Sequence, residues 1–262
     1  MSNQRRNRPN RKGNMPKPGA QKKKVSNPNE MRLNKYIANA GICSRRDADM
    51  HIQIGSVTVN GQVITEMGYK VKLTDEVRFD GARINPEKPH YILLNKPKGF
   101  LVTTKQDESK SVFDLVKNVV SEKTIPVGKL EKQGMGLLLL TNDGDLSKKL
   151  NSNNHKIRVI YQVSLDKPLK NEDLEKIKEG INIRGKKTSV VDISYIDDKP
   201  HTEVGIHVYT AKGELVHNIF NHLDYKITLL DRVSYGGLTK KDLPRGKYRT
   251  LTELEVSNLK ML

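Results

Sequence analysis

Apolar residues in the first third of the chain follow helical spacing and then alternate as in strands. The helical set recurs at intervals of three and four residues and stops at Gly41, which predicts a helix carrying Leu33, Tyr36, Ile37 and Ala40. Ser44, followed by Asp47, predicts the start of a second helix. The segment from Val57 to Val63 predicts two short strands joined by an Asn-Gly turn. Together these elements predict a small α/β module.

A larger region of mixed periodicity follows a linker that Pro86 and Pro89 mark. Apolar patterns predict strands at 91–94, 161–165, 204–208 and 227–230, and helices at 112–119, 171–181 and 215–223. Asn171 is expected to cap the second of these helices. Leu137–Leu140 fits either a buried strand or a turn of helix. Strands and helices do not alternate as in βαβ units, so the predicted fold class is α+β, a small module followed by a larger mixed-sheet domain.

The first 30 residues differ in composition from everything that follows. They are rich in Asn, Pro, Gly, Lys and Arg, and they hold nine Lys or Arg against one Glu. Such a segment cannot bury enough apolar surface to offset the entropy lost on ordering, so residues 1–30 are predicted to be disordered. Two interpretations remain: a basic arm that contacts phosphates, which the basic body behind it favours, or a solubilising tail.

The net charge of the 262-residue chain is +17, from 47 basic and 30 acidic residues. This excess favours a polyanionic partner, with nucleic acid ahead of an anionic membrane surface. No apolar run approaches the length of about 18 residues that a membrane-spanning helix needs. The N-terminal residues lack the apolar core of a secretory signal, and the single cysteine, Cys43, suits a reducing compartment. A cytoplasmic protein is therefore expected.

The predicted N-terminal module carries the sequence R-L-x-K-Y-I-A-x-A-G-I-C-S-R-R-D-A, followed by V-T-V-N-G. This order resembles the RNA-binding domain named after ribosomal small-subunit protein four, over residues 31–84. The resemblance implies that Ser44, Arg45 and Arg46 face RNA. A helix N-terminus at this point would offer free N–H groups to a phosphate. The alternative is a pair of solvated arginines on a surface helix.

The segment Gly128–Gly144 reads G-K-L-E-K-Q-G-M-G-L-L-L-L-T-N-D-G. It resembles the active-site segment of the bacterial ribosomal RNA pseudouridine synthases of the RsuA/RluB/RluF family, which holds G-R-L-D before G-L-L-L-L-T-N-D-G. Further motifs match that family at 95–99 (N-K-P-K-G), 230–233 (L-D-R-V) and 243–246 (L-P-R-G). The resemblance covers residues 90–255 and implies a pseudouridine synthase-like domain that needs no cofactor. The catalytic aspartate of the family aligns with Glu131, and the arginine before it aligns with Lys129.

The resemblance assigns two further positions to the active site. Tyr161 matches the family tyrosine that packs against the target base, although a core tyrosine on a strand is an equal alternative. A family helix start, E-G-R/K-N-R-Q-V/I-R-R-M/I-F, corresponds to T-A-K-G-E-L-V-H-N-I-F at 210–220. The arginine that pairs with the catalytic aspartate is taken to align with Glu214. Two carboxylates in one site would repel each other, and one would tend to hold a proton unless Lys212 or His217 compensates.

Two hypotheses for function remain open. In the first, the chain is an RNA-binding protein on a pseudouridine synthase scaffold whose catalysis is weak or lost, because positions 131 and 214 are both altered. In the second, it is an active synthase that uses Glu131 as its nucleophile and flips a uridine out of structured RNA. Both imply ribosomal RNA or a ribosome assembly intermediate as partner, a monomer, and no membrane. No histidine pair has metal-site spacing, so no metal is expected.

Overall fold

The chain forms two compact units, Met1–Pro86 and Glu87–Leu262. The computed structural model describes residues 30–103, 110–121, 124–152, 157–210 and 213–262. The predicted basic arm, residues 1–30, lies outside the described residues except for Glu30. None of the helices in the described ranges is long and apolar enough to cross a membrane.

The described part of the N-terminal unit consists of two helices and six short strands. The elements in chain order are β1 (Glu30–Arg32), α1 (Leu33–Ala40), α2 (Arg45–Gln53), β2 (Val57–Val59), β3 (Gln62–Val63), β4 (Lys70–Lys72), β5 (Val77–Phe79) and β6 (Ala82–Ile84). Strands β3, β2, β5 and β6 form an antiparallel sheet in that order, and β1 pairs with β4. The core joins apolar residues of both helices to those of the strands: Leu33, Ile37, Ile52, Val57 and Val77.

Backbone geometry confirms the local signals predicted for this unit. Gly41 ends α1 with a φ of 93°, a left-handed conformation that glycine adopts without strain. Ser44 caps α2, because its Oγ accepts a hydrogen bond from the backbone N–H of Asp47 and donates one to the Asp47 carboxylate. Asn60 and Gly61 both have positive φ, as a tight two-residue hairpin turn requires.

The C-terminal unit is built on a sheet of nine strands in its described part. The strands of the unit, including two that lie outside this sheet, are β7 (Tyr91–Lys96), β8 (Ile125–Val127), β9 (Met135–Thr141), β10 (Val159–Leu165), β11 (Ile181–Ile183), β12 (Lys186–Thr188), β13 (Asp192–Tyr195), β14 (Glu203–Val208), β15 (Ile227–Tyr235), β16 (Leu238–Thr239) and β17 (Tyr248–Thr250). The order is β13-β14-β10-β15-β9-β7-β17, with β16 beside β15 and β8 beside β9, while β11 and β12 form a separate hairpin. Of the described pairings, β9 with β15 is parallel and the rest are antiparallel.

Helices pack against this sheet around one apolar core. They are α3 (Gly144–Asn151), α4 (Asn171–Glu179), α5 (Glu214–His222) and α6 (Glu253–Met261). Strand β7 is buried throughout, and Leu137–Leu140 lies in β9, buried as well, so the apolar run is a strand and not a helix turn. The predicted strands at 161–165 and 204–208 are confirmed by β10 and β14. The α+β class, with a small module and a larger mixed sheet, is confirmed.

The predicted helix over 112–119 is wrong. The structure has only a short 3-10 helix there, Val112–Leu115, which Ser111 and Asp114 cap. Four valines and an asparagine within residues 112–120 explain the difference, because β-branched residues and asparagine have low helix propensity.

The predicted ends of the helix over 171–181 also need correction. Asn171 is the first residue of α4, and Lys170 occupies the cap position without a side-chain hydrogen bond. The Asn171 side chain instead accepts a hydrogen bond from the Tyr195 hydroxyl (2.8 Å). Gly180, with a φ of 96°, ends the helix, so Ile181 begins β11.

Candidate active site

The candidate catalytic carboxylate lies on the loop between β8 and β9, and a buried lysine holds the second half of that loop. Lys96, the last residue of β7, is 0% exposed. Its Nζ donates hydrogen bonds to the carbonyl oxygens of Pro97 (3.2 Å), Lys132 (3.1 Å) and Gly134 (2.6 Å). The backbone N–H of Gly99 also donates to the Lys132 carbonyl (2.9 Å). These bonds fix residues 132–134 against the end of β7.

A buried arginine holds the first half of the loop. Arg232 on β15 is 0% exposed. Its Nη2 donates to the carbonyl oxygen of Gly128 (2.7 Å), and its Nε donates to that of Leu137 (2.6 Å). Burial first, and then repulsion from Arg232 and Arg245, lower the pKa of Lys96 to about 8. Two buried cations therefore position the chain on both sides of residue 131.

The parallel pairing of β9 with β15 brings Gly136 opposite Arg232. Gly136 has a φ of 102°, and a Cβ atom here would overlap the backbone nitrogen and carbonyl oxygen of Arg232 and the carboxylate of Asp231. Only glycine allows the two backbones to approach this closely. The glycine that opens the G-L-L-L-L segment, Gly136, is therefore required for β9 to pair this closely with Arg232, the residue that holds the loop.

The Asp231 carboxylate lies in a hydrogen-bond network that links the sequence motifs at 95–99, 230–233 and 243–246. This carboxylate, 4% exposed, accepts hydrogen bonds from Lys240 (2.7 Å) and from both terminal nitrogens of Arg245 (3.2 and 2.7 Å). Arg245 also donates to the side-chain oxygen of Asn95 (2.7 Å). Burial raises the pKa of Asp231, but the hydrogen bonds from Arg245 and Lys240 outweigh it and hold the pKa below its usual value.

In the described ranges of the chain, the ion-pairing partner of Glu131 is a histidine. Nε2 of His217 lies 3.4 Å from Oε2 of Glu131, and this histidine is a cation only when it is protonated. The Glu131 side chain is 57% exposed and that of His217 is 30% exposed. Glu214, which the sequence predicted at the partner position, is the exposed first residue of α5, one helical turn before His217. The structure therefore gives Glu131 a different neighbour from the one that was expected.

Tyr161 lies on β10 opposite Arg232, where a β-bulge shifts the register of β10 against β15. Its side chain is 0% exposed and shares a hydrogen bond with Arg232. Burial raises the pKa of Tyr161, and the Glu131 carboxylate adds to that rise, while Arg232 opposes it. The Arg232 guanidinium also lies 5.0 Å from the ring centre of Tyr235. The carboxylate, the tyrosine and the buried arginine thus share one site, and the stacking role of Tyr161 stays a prediction.

Comparison with known proteins identifies the family. Residues 90–254 match the family model described as RNA pseudouridylate synthase. The chain belongs to the RNA pseudouridylate synthase family. Residues 31–77 match the S4 domain. The family resemblance inferred from the sequence motifs is therefore confirmed for both parts of the chain.

Relatives and a solved structure match most of the chain. Ribosomal large subunit pseudouridine synthase B of Bacillus subtilis is 34% identical over 235 residues, 88% of this chain and 96% of that protein. Dual-specificity RNA pseudouridine synthase RluF of Escherichia coli is 32% identical over 234 residues, 87% of this chain and 78% of that protein. A crystal structure of pseudouridylate synthase matches with a TM-score of 0.60 and 27% identity, covering 87% of this chain and 99% of that one.

The remaining predicted site residues are exposed or partly exposed. Lys129 is exposed on the loop that carries Glu131. In the S4 domain, Arg45 and Arg46 are the first two residues of α2, directly after the Ser44 cap, and Arg46 is exposed. Among the residues that the structure describes, no three His, Cys, Asp or Glu side chains are grouped as a metal site would require.

Two residues that hold the loop were not predicted from the sequence. Lys96 and Arg232 lie within recognised motifs, but no periodicity indicates that a charged residue will be buried. His217 enters the sequence reasoning only beside Lys212, which lies outside the described residues, as a residue that could compensate for the second carboxylate. The signal that could have singled out the first two is a charged side chain inside a strand that is otherwise largely apolar, since such charges are rarely buried without a function.

Proposed function

We propose that this chain binds structured ribosomal RNA and that it converts uridine to pseudouridine weakly or not at all. One observation carries the proposal: the Glu131 carboxylate is 57% exposed, and its ion-pairing partner among the described residues is a histidine. A catalytic carboxylate must be held accurately, because a misplacement of roughly 1 Å can cost about 100-fold in rate. An exposed carboxylate whose partner in the described part of the chain is charged only when protonated is held with little of that accuracy.

RNA binding is supported independently of the carboxylate. The chain has a net charge of +17 and an S4 domain whose second helix begins with two arginines. Phosphate contacts of this kind do not depend on position 131. The relatives are named as ribosomal and RNA pseudouridine synthases, which supports ribosomal RNA, free or in an assembly intermediate, as the partner. We propose that the protein acts as a monomer in the cytoplasm.

A second function, active isomerisation by Glu131, is favoured by the pair of Glu131 and His217. The loop anchors Lys96 and Arg232 are in place, and the His217 ring lies 3.4 Å from the carboxylate. A protonated histidine there would form an ion pair with the carboxylate that acts as the nucleophile. In this alternative, Glu131 would act as the nucleophile and Tyr161 would pack against the flipped base.

Single-turnover conversion of uridine in ribosomal RNA fragments, read by chemical mapping, tests the proposal. We expect little or no conversion by the unmodified chain. Glu131→Ala should leave RNA binding almost unchanged, and so should the control Glu179→Ala, which replaces an exposed glutamate at the end of α4. Stoichiometric conversion that Glu131→Ala abolishes and Glu179→Ala does not would establish the second function instead. A pseudouridine map of cellular RNA with and without the protein extends the test to the natural substrate.

A further inference from the structure

Two exposed lysines lie on neighbouring backbone segments beside the candidate carboxylate. Lys132 directly follows Glu131, and Lys98 lies in the segment after β7. The Lys132 carbonyl oxygen accepts hydrogen bonds from the N–H of Gly99 (2.9 Å) and from Nζ of Lys96 (3.1 Å). The same Nζ also binds the carbonyl of Pro97 (3.2 Å). Lys98 therefore lies between Gly99, which is bonded to the Lys132 carbonyl, and Pro97, which is bonded to Lys96. Lys96 is itself bonded to Lys132, so the two segments are held side by side.

The positions of these lysines are fixed by rigid surroundings. Lys96, which joins the two segments, is fully buried at the end of a strand that is itself buried throughout. Lys98 and Lys132 thus differ from lysines on mobile surface loops, because their Cα positions are set by main-chain bonds to the core. Two lysines on a fixed backbone lose less entropy when they bind a shared ligand than two lysines on a mobile loop, because only their side chains have to be ordered.

The charge balance around this pair is unfavourable without an anion. In the described ranges of the chain, neither Lys98 nor Lys132 forms an ion pair, and the buried ammonium group of Lys96 is bonded to the backbone carbonyls of Pro97 and Lys132. Like charges on adjacent segments repel each other. The neighbouring acid, Glu131, faces His217. An anion bound by both exposed lysines would offset the repulsion, while Lys96, whose ammonium group is bonded to three carbonyl oxygens, holds the backbone that carries them.

We propose that Lys98 and Lys132 form a phosphate-binding pair that holds the RNA backbone beside position 131. The inference rests on the proposed RNA-binding function, and it adds a defined contact of the synthase domain to those of the S4 domain. Lysine recognises phosphate as a point charge, so the pair reads the backbone and not the bases. It positions a nucleotide next to Glu131 whether or not that carboxylate is active.

Binding of the full chain to a ribosomal RNA fragment, measured against salt concentration, tests the pair. The test variant is Lys98→Gln with Lys132→Gln. The matched control is Lys199→Gln with Lys226→Gln, two exposed lysines near the opposite end of β15. Each lost phosphate contact lowers the slope of log K against log salt by about 0.7 to 0.9. We expect the test variant to lower the slope by about 1.4 to 1.8, and the control to lower it by much less.

Further variants separate charge from structure. Lys98→Arg with Lys132→Arg keeps both cations and should keep the slope of the unmodified chain. Backbone phosphates flanking the bound uridine should lose their protection from chemical cleavage in the glutamine variant and keep it in Arg45→Ala with Arg46→Ala. Equal slopes for the test and control variants, or loss of binding by the arginine variant, would overturn the phosphate pair while RNA binding stands. Failure of the unmodified chain to bind RNA would overturn the proposed function as well.

Discussion

The ammonium group of Lys96 and the carbonyl oxygen of Gly134 form a hydrogen bond of 2.6 Å inside the protein. This bond ties the loop of the candidate carboxylate to the end of β7. It also places a charge where water cannot reach it, which is why burial lowers the pKa of Lys96 to about 8. The loop is therefore positioned at a cost in stability that depends on pH.

Lys96 should make the stability of the protein depend on pH in the alkaline range. Its folded-state pKa lies below its ordinary value of 10.5, so between pH 8 and 10.5 the unfolded chain binds more protons than the folded one. The contribution of Lys96 to the free energy of unfolding should therefore rise with pH through this window. Urea unfolding of the unmodified chain and of Lys96→Met, at about pH 7.5 and about pH 10, measures it. From the lower to the higher pH, the free energy of unfolding of the unmodified chain should increase relative to that of Lys96→Met. A difference between the two proteins that does not change with pH would contradict the prediction.

Gly136→Ala should destabilise the synthase domain strongly. The new Cβ would overlap backbone atoms of Arg232, and the positive φ adds strain. Gly237→Ala is the matched control, because Gly237 has a φ of 89° and an added Cβ would meet no atom within 4 Å. We expect about 1 to 2 kcal/mol for the control, from backbone strain alone. Gly136→Ala should cost at least about 2 kcal/mol more, since overpacking adds to strain. Similar unfolding midpoints for both variants would show that β9 and β15 can move apart at Gly136 without a large loss of stability.

Restoring an aspartate at position 131 should not by itself raise conversion of uridine. The shorter side chain of Glu131→Asp would withdraw from His217, which is its neighbour in the structure. Adding His217→Arg supplies a longer cation, and the double variant should convert RNA at least about tenfold faster than Glu131→Asp alone. Glu131→Asp with Glu214→Arg is the control, because residue 214 is exposed one turn away. Equal rates for the two double variants would mean that position 217 has no special relation to the carboxylate.

Arg45→Ala with Arg46→Ala should weaken RNA binding by about 1 to 3 kcal/mol, the range for hydrogen bonds to charged groups. The S4 domain places both residues at the start of α2, where N–H groups can also meet a phosphate. Lys199→Ala with Lys226→Ala is the appropriate control. Lys240 is unsuitable, because it forms an ion pair with the buried Asp231. Fluorescence anisotropy at fixed salt compares the variants, and equal losses would indicate general electrostatics.

Much of the fold could be predicted from sequence because its signals are local. Gly41, Ser44 and the Asn60-Gly61 turn act within a few residues, and each adopts the conformation expected of it. Strand β1 pairs with β4 although neither has an alternating apolar pattern of useful length. Such short polar strands exist through their pairing partner, so periodicity cannot reveal them.

The candidate site was predictable in its location but not in its contacts. Motif comparison located residue 131 and the frame motifs around it. The contact of Glu131 with His217 depends on how α5 packs against a loop more than eighty residues earlier in the chain. Alignment with an arginine-rich pattern could not decide which of several positions faces the carboxylate. Only the helix direction in the folded domain selects residue 217 over residue 214.

The hydrogen bonds that hold the loop of Glu131 join segments that are far apart in the chain and are therefore translated at very different times. Arg232 reaches Gly128 across 104 residues, and Arg245 reaches Asn95 across 150. The S4 domain closes much earlier, since its contact from Tyr36 to Ile84 spans 48 residues. A growing chain can therefore complete its S4 domain while the loop of Glu131 still lacks both Arg232 and Arg245. The site beside Glu131 takes shape only after residue 245 has been synthesised.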